Sequence, residues 1–204
     1  VMVIEGDEYL SSPIDRQAKF LHYKPHIAIV TGVAWDHINV FPTFEEYKLQ
    51  FALLAENLAE DGVFIFYKKD VYLREIVKKA GATIHALPYS GFTCEISDGK
   101  ACVKLPDGEP IELEIFGDHN LANLHAAQLA CQELGISQKD FLEAAASFKG
   151  AAKRLQKLAE NAHFTAWLDF AHAPSKAQAT VQAVKKLHPE RRLVACLELH
   201  TFSS

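Results

Sequence analysis

Apolar residues along this chain recur with two different periods, and the changes of period mark out its elements. Compact apolar runs at residues 1–4, 26–33, 63–67 and 83–87 have the length and branched or aromatic content of strands. Between them the spacing turns helical. Phe44, Tyr47, Phe51, Leu54 and Leu58 recur three or four apart, and Thr43 with Glu46 forms a capping box at the start. A second helical stretch covers 70–79 and stops at Gly81. Strands alternating with helices predict an α/β fold, a mostly parallel sheet flanked by helices.

The texture changes after Pro88. Three short runs at 93–96, 101–105 and 111–115, separated by Asp98-Gly99 and Asp107-Gly108, predict a small antiparallel meander. If Asp98-Gly99 is a two-residue loop, Cys94 faces Val103 and Cys102 faces Glu95, which puts the two thiols on opposite sides. Helices follow at about 120–134 and 137–148, stopped by Gly135 and Gly150. A boundary is expected at 150–154. Beyond it come a strand at 163–169, a helix at 175–187 and a strand at 192–198, the opening of a Rossmann-like unit too short to stand alone. The expected domains are therefore 1–150 and an incomplete 151–204. A first residue already inside an apolar run suggests a piece of a longer protein.

Composition narrows the function classes. The chain has 204 residues, 49% hydrophobic and 23% charged, enough to fill at least one core. A net charge of -5 offers no basic field for a nucleic-acid backbone. No apolar run approaches the roughly 20 residues of a membrane span. Four cysteines without a CxxC spacing read as buried or semi-buried reduced thiols of a cytoplasmic protein.

Four places carry candidate chemistry. Glu5-Gly6-Asp7-Glu8-Tyr9 groups three carboxylates after the first expected strand, suited to Mg²⁺ or simply a solvated acidic turn. Thr31-Gly32-Val33-Ala34-Trp35-Asp36-His37 follows the second expected strand, and His37 is either a metal ligand or a structural histidine. Gly117-Asp118-His119-Asn120-Leu121-Ala122-Asn123 opens a helix with Asn120 and Asn123 on one face. Their amides match the donor–acceptor edge of adenine, although Asn120 can equally cap the helix. Last come Lys153-Arg154 at the expected boundary and Asp169-Phe170-Ala171-His172-Ala173-Pro174 at a strand end. Arg154 suits a phosphoryl oxygen and Asp169 a ribose hydroxyl.

Taken in order, these motifs resemble the Mur ligase family along essentially the whole chain. The resemblance implies an ATP-dependent, cytoplasmic ligase that joins UDP-N-acetylmuramate (or its peptide) to an amino acid or peptide. Residues 1–150 then correspond to the central ATP-binding domain and 151–204 to the beginning of the C-terminal domain. The cofactors implied are ATP and Mg²⁺, with neither nucleic acid nor membrane as partner. By residue-wise carry-over, Glu5 and His37 resemble the family's magnesium ligands, and His119, Asn120 and Asn123 its adenine contacts. Arg154 resembles the arginine reaching ATP from the joint; Asp169 and His172 resemble the nucleotide contacts of the last domain. Glu5–Tyr9, Ala34–Pro42, 168–176 and 197–204 look most like the branch that attaches a murein tripeptide, with the L-alanine-adding branch its nearest competitor.

Three departures stand out. No Gly-Lys-Thr/Ser phosphate loop occurs in the 204 residues, Gly32 stands where many relatives have Asn, and no lysine matches the carbamylated lysine of several branches. A folylpolyglutamate synthase and a non-catalytic nucleotide-binding module are the other readings. Against the former, 169–174 lacks the inner Gly and Asn of the Asp-Gly-Ala-His-Asn-Pro pattern.

Overall fold

The computed structural model describes residues 1–35, 39–97, 100–104, 109–171 and 174–198. Among the described residues the chain divides into two compact units, 1–90 and 91–198.

The first unit is a parallel sheet ordered β1-β2-β3, formed by β1 (Ile27–Val30), β2 (Val63–Tyr67) and β3 (His85–Tyr89). Parallel strands need crossovers, and α1 (Phe44–Glu56) and α2 (Val71–Ala80) supply them. The capping box at Thr43 and Glu46 forms as the spacing predicts. Asp70 caps α2 by accepting from Tyr72 and Leu73 N–H, each at 2.9 Å. The central strand β2 pairs on both edges and is buried along nearly its whole length, which is why it reads as an unbroken apolar run. Tyr47, Phe51 and Leu54 of α1 pack with Phe64, Phe66 and Phe20 into one core.

Two expected strands differ. Residues 1–4 form no strand, and Val1, Met2, Val3 and Ile4 are exposed. Apolar composition favours a strand only where a neighbouring ladder is on hand, and the sheet takes none of these residues. Glu5 therefore does not sit at a strand end. The strand expected at 83–87 lies two residues later, because Gly81–Thr83 makes a 3-10 turn first. Pro88 is tolerated within β3 because this is an edge strand, needing ladder donors on one side only.

The second unit holds an antiparallel meander of β4 (Cys94–Ser97), β5 (Lys100–Val103) and β6 (Ile111–Leu113). Its register pairs Cys94 with Val103 and Glu95 with Cys102, as the two-residue loop requires; Asp98 and Gly99 themselves lie outside the described residues. All four cysteines are free thiols, but Cys196 is exposed rather than semi-buried. Helices α3 (Asp118–Glu133), α4 (Gln138–Ala145) and α5 (Pro174–Leu187) complete it, with an antiparallel pair of β7 (Gln156–Glu160) and β8 (Thr165–Leu168). Ala101, Val103, Leu121 and Leu142 share a core with Leu155, Val184 and Leu187, so residues on both sides of Gly150 pack together.

Here too the expectation is corrected. Residues 192–198 form no strand, and Val194 and Leu197 are exposed; β8 is paired with β7 instead. Sequence periodicity missed β7 because Gln156–Glu160 is exposed at every position. Its signal was the turn that follows, where Asn161 Oδ1 accepts from His163 and Phe164 N–H at 2.8 and 3.0 Å.

Candidate functional site

In the first unit, the segments leaving the carboxyl ends of β1 and β2 are tied by one side chain. Asp70, already the cap of α2, also accepts from Val33 N–H through Oδ2 at 2.9 Å. A Cβ on Gly32 would stand 3.4 Å from that same oxygen, so the two segments lie side by side with room for a small side chain. Downstream, Trp35 Nε1 donates to the carbonyl of Phe41 at 3.2 Å, and Phe41 is buried. The stems of the segment bearing Asp36 and His37 are thus anchored on both sides. His37 itself, with Asp36 and Ile38, lies outside the described residues, so its expected meeting with Glu5 has no geometry here.

Glu5 is exposed. Its acidic neighbours serve their own unit. Asp7 accepts from Tyr9 N–H at 2.9 Å and pairs with Lys19 at 2.8 Å, and that hydrogen bond raises the lysine's pKa. Glu8 Oε1 receives the Tyr47 hydroxyl at 3.4 Å, at the long limit for such a bond. Of the three carboxylates, Glu5 has the chemistry of a Mg²⁺ ligand and the exposure to reach one. Among the described residues no three His, Cys, Asp or Glu side chains converge as a metal cluster.

In the second unit, Asp169 holds the N–H next to Arg154, and both charges act on His119 electrostatically. Helix α3 begins after Gly117, whose φ of +89 suits glycine. A Cβ there would fall 2.8 Å from the Ala183 Cβ and 3.1 Å from His119 Cε1. That close approach seats α5 against the head of α3 and half-buries His119. Burial pushes the His119 pKa down, Asp169 and Asp118 push back, and Arg154 adds to the lowering. Asn120 donates through Nδ2 to the Phe116 carbonyl at 2.9 Å, a bond made to the chain just before the helix. Asn123, one turn on, is exposed.

Asp169 sits just past β8. Its Oδ2 accepts from Leu155 N–H and its Oδ1 from Ala171 N–H, both at 2.7 Å. The exposed Arg154 places its guanidinium 5.7 Å over the Phe170 ring. His172 lies outside the described residues. Asp70 and Phe170 carry structural weight that sequence reasoning did not assign. An Asp before an apolar helix signals a cap, and nothing local announces that it also reaches a second loop.

A lowered histidine pKa carries a signed consequence. His119 below its ordinary 6.5 contributes stability that is present above that value and lost as pH falls. The thermal midpoint of the chain is expected to drop between about pH 7.5 and 5.5, and to drop less in His119→Gln. Differential scanning calorimetry across that range checks it; parallel curves for the two proteins contradict it.

This is an α/β chain with a parallel three-stranded sheet in one unit and an antiparallel meander in the other. Residues 1–131 match the Mur ligase middle domain, and the chain belongs to the Mur ligase family. It is 28% identical to the UDP-N-acetylmuramate–L-alanine ligase of Roseiflexus sp. (strain RS-1), over 99% of this chain and 47% of that protein. Among solved structures it resembles a murein peptide ligase from Psychrobacter arcticus 273-4 (26% identity, TM-score 0.61), over 98% of this chain and 43% of that one. The UDP-N-acetylmuramate:L-alanyl-gamma-D-glutamyl-meso-diaminopimelate ligase from Neisseria meningitides is similar at 25% identity and TM-score 0.62, over 73% and 48%. The chain spans about half the length of the curated relatives it matches. Among the described residues no helix is long and apolar enough to cross a membrane.

Proposed function

We propose that this chain carries nucleotide-handling residues of an ATP-dependent, amide-bond-forming ligase acting on UDP-N-acetylmuramate. The observation that carries the proposal is the match of residues 1–131 to the Mur ligase middle domain, beside an Asp169 carboxylate that holds the N–H next to Arg154 at 2.7 Å. Three motifs widely separated in sequence supply an imidazole, a cation and a carboxylate to the second unit. The donor set suits a nucleotide. His119, Asn120 and Asn123 offer hydrogen-bonding edges for adenine, Asp169 keeps carboxylate lone pairs for ribose hydroxyls, and Arg154 faces solvent with its charge.

In this reading Glu5 and His37 hold Mg²⁺, and His172 joins the nucleotide contacts. Bound Mg²⁺ supplies charge neutralisation on the triphosphate. Carboxylate oxygen attacks the γ-phosphorus, ADP leaves, and an acyl phosphate forms; the amine then displaces phosphate to give the amide. The chain's own work is alignment and electrostatics. Arg154 neutralises charge on the transferred phosphoryl group. We place the joint between the central and following domains at 150/151. Positive φ at Gly150, Lys153 and Leu155 within six residues supports a turn of unusual backbone there. A reaction consuming ATP belongs in the cytoplasm.

For the amine, we propose L-alanyl-γ-D-glutamyl-meso-diaminopimelate, supported by the two peptide ligases among the similar structures. The second reading, L-alanine, is supported by the names of the curated relatives. The full product of the gene, given ATP, Mg²⁺ and UDP-N-acetylmuramate, is expected to release ADP faster with the tripeptide than with L-alanine. Faster release with L-alanine overturns the choice of amine, and no amine-dependent release with either overturns the ligase.

A further inference from the structure

Arg154 is flanked by two residues in the left-handed region, Lys153 at φ +59 and Leu155 at φ +45, neither of them glycine. Backbone of this kind persists only where its surroundings hold it. The segment after β8 does so. Asp169 Oδ2 receives Leu155 N–H at 2.7 Å, and Phe170 N–H reaches the Lys153 carbonyl at 2.8 Å. Asp169 Oδ1 receives Ala171 N–H at 2.7 Å, which fixes the carboxylate in the plane that serves Leu155. The Leu155 side chain is anchored in the core at 5% exposure. Both neighbours of Arg154 are therefore pinned while its own side chain projects. That side chain then rests on Phe170, a ring 52% exposed that lies 5.7 Å beneath the guanidinium.

We propose that Asp169 and Phe170 are positioning residues for Arg154. Asp169 sets the backbone turn from which the guanidinium departs, and the Phe170 ring sets the direction it takes. The proposal rests on the reading of Arg154 as the cation that meets the phosphoryl group. It gives Asp169 work that precedes any nucleotide, and the two lone pairs left on its oxygens remain available to a ribose. A planar cation on an aromatic shelf loses little freedom when it engages a second partner, so the shelf acts on turnover more than on substrate affinity.

Two measurements on the full gene product separate this proposal from the function it rests on. The first needs no activity. Amide hydrogen exchange at Leu155 is expected to speed up by about tenfold or more in Asp169→Asn, because Asn keeps one acceptor oxygen and puts an NH2 donor in place of the other, leaving one of the two N–H groups without its acceptor; speeding at Ala171 instead counts equally. Unchanged exchange at both amides overturns the clamp. The second is a double-mutant cycle on a half-exposed residue that leaves the fold intact. Phe170→Leu is expected to lower kcat about two- to fivefold, the size of an exposed cation–π contact, with KM for UDP-N-acetylmuramate unchanged and Phe170→Tyr restoring the rate. In an Arg154→Ala background the same change is expected to have no further effect. An equal loss in both backgrounds overturns the positioning role. If the unmutated protein shows no turnover, the ligase reading has failed, and the exchange result still decides the clamp.

Discussion

Arg154→Ala in the full gene product is expected to lower kcat by about 10²–10³-fold, the loss that follows removal of one pre-set group from a developing negative charge. Arg154 is exposed and its backbone, not its side chain, is stitched into the turn, so the thermal midpoint should stay put. Arg154→Lys keeps the charge but loses the planar fork and the stacking on Phe170, and should recover only part of the rate. The check is ADP release under saturating substrates beside a melting curve. A full-rate Arg154→Ala enzyme removes the cation from the site.

The second large effect is on stability. Phe64 is 0% exposed at the centre of β2, with Phe66 stacked beyond it at 6.4 Å between ring centroids. Phe64→Ala is expected to cost about 3–5 kcal/mol, a large part of the roughly 5–15 kcal/mol by which domains are stable. Ile29 provides the contrast. It lies on the edge strand β1 at 42% exposure, and Ile29→Ala should cost well under about 2 kcal/mol. Urea unfolding followed by circular dichroism measures both. Similar midpoints for the two variants contradict the placement of the first unit's core.

What was legible in the sequence follows from where burial leaves a pattern. β2 stands out because both its faces are covered, and α1 because a capping box precedes a stripe of buried aromatics. The Cys94–Val103 register was readable because a two-residue loop admits only one pairing. β7 was not readable, since a ribbon of Gln156, Lys157 and Glu160 buries no face and leaves no periodicity. Residues 1–4 and 192–198 misled in the opposite sense. They are apolar enough for strands, but strand formation is a property of the pair, and the ladders that exist are elsewhere.

The site shows the same divide. His119, Arg154 and Asp169 were recognisable as motifs, each weak alone. What no local pattern announced is the bond from Leu155 N–H to Asp169, which ties the Arg154 turn to the end of β8 across 14 residues of sequence. Asp70 illustrates what local signals omit: the spacing put it inside the helix at 70–79, whereas it caps α2 from outside and also bonds to Val33.

In the proposed reading, the full gene product forms its amide through an activated carboxylate. Its most direct test supplies the full gene product with UDP-N-acetylmuramate carrying ¹⁸O in the reacting carboxylate, together with ATP, Mg²⁺ and the amine, and weighs the phosphate released. An acyl phosphate hands one carboxylate oxygen to phosphorus, so phosphate heavier by one ¹⁸O is expected for each amide formed. Unlabelled phosphate, with both heavy oxygens kept on the sugar acid, contradicts it.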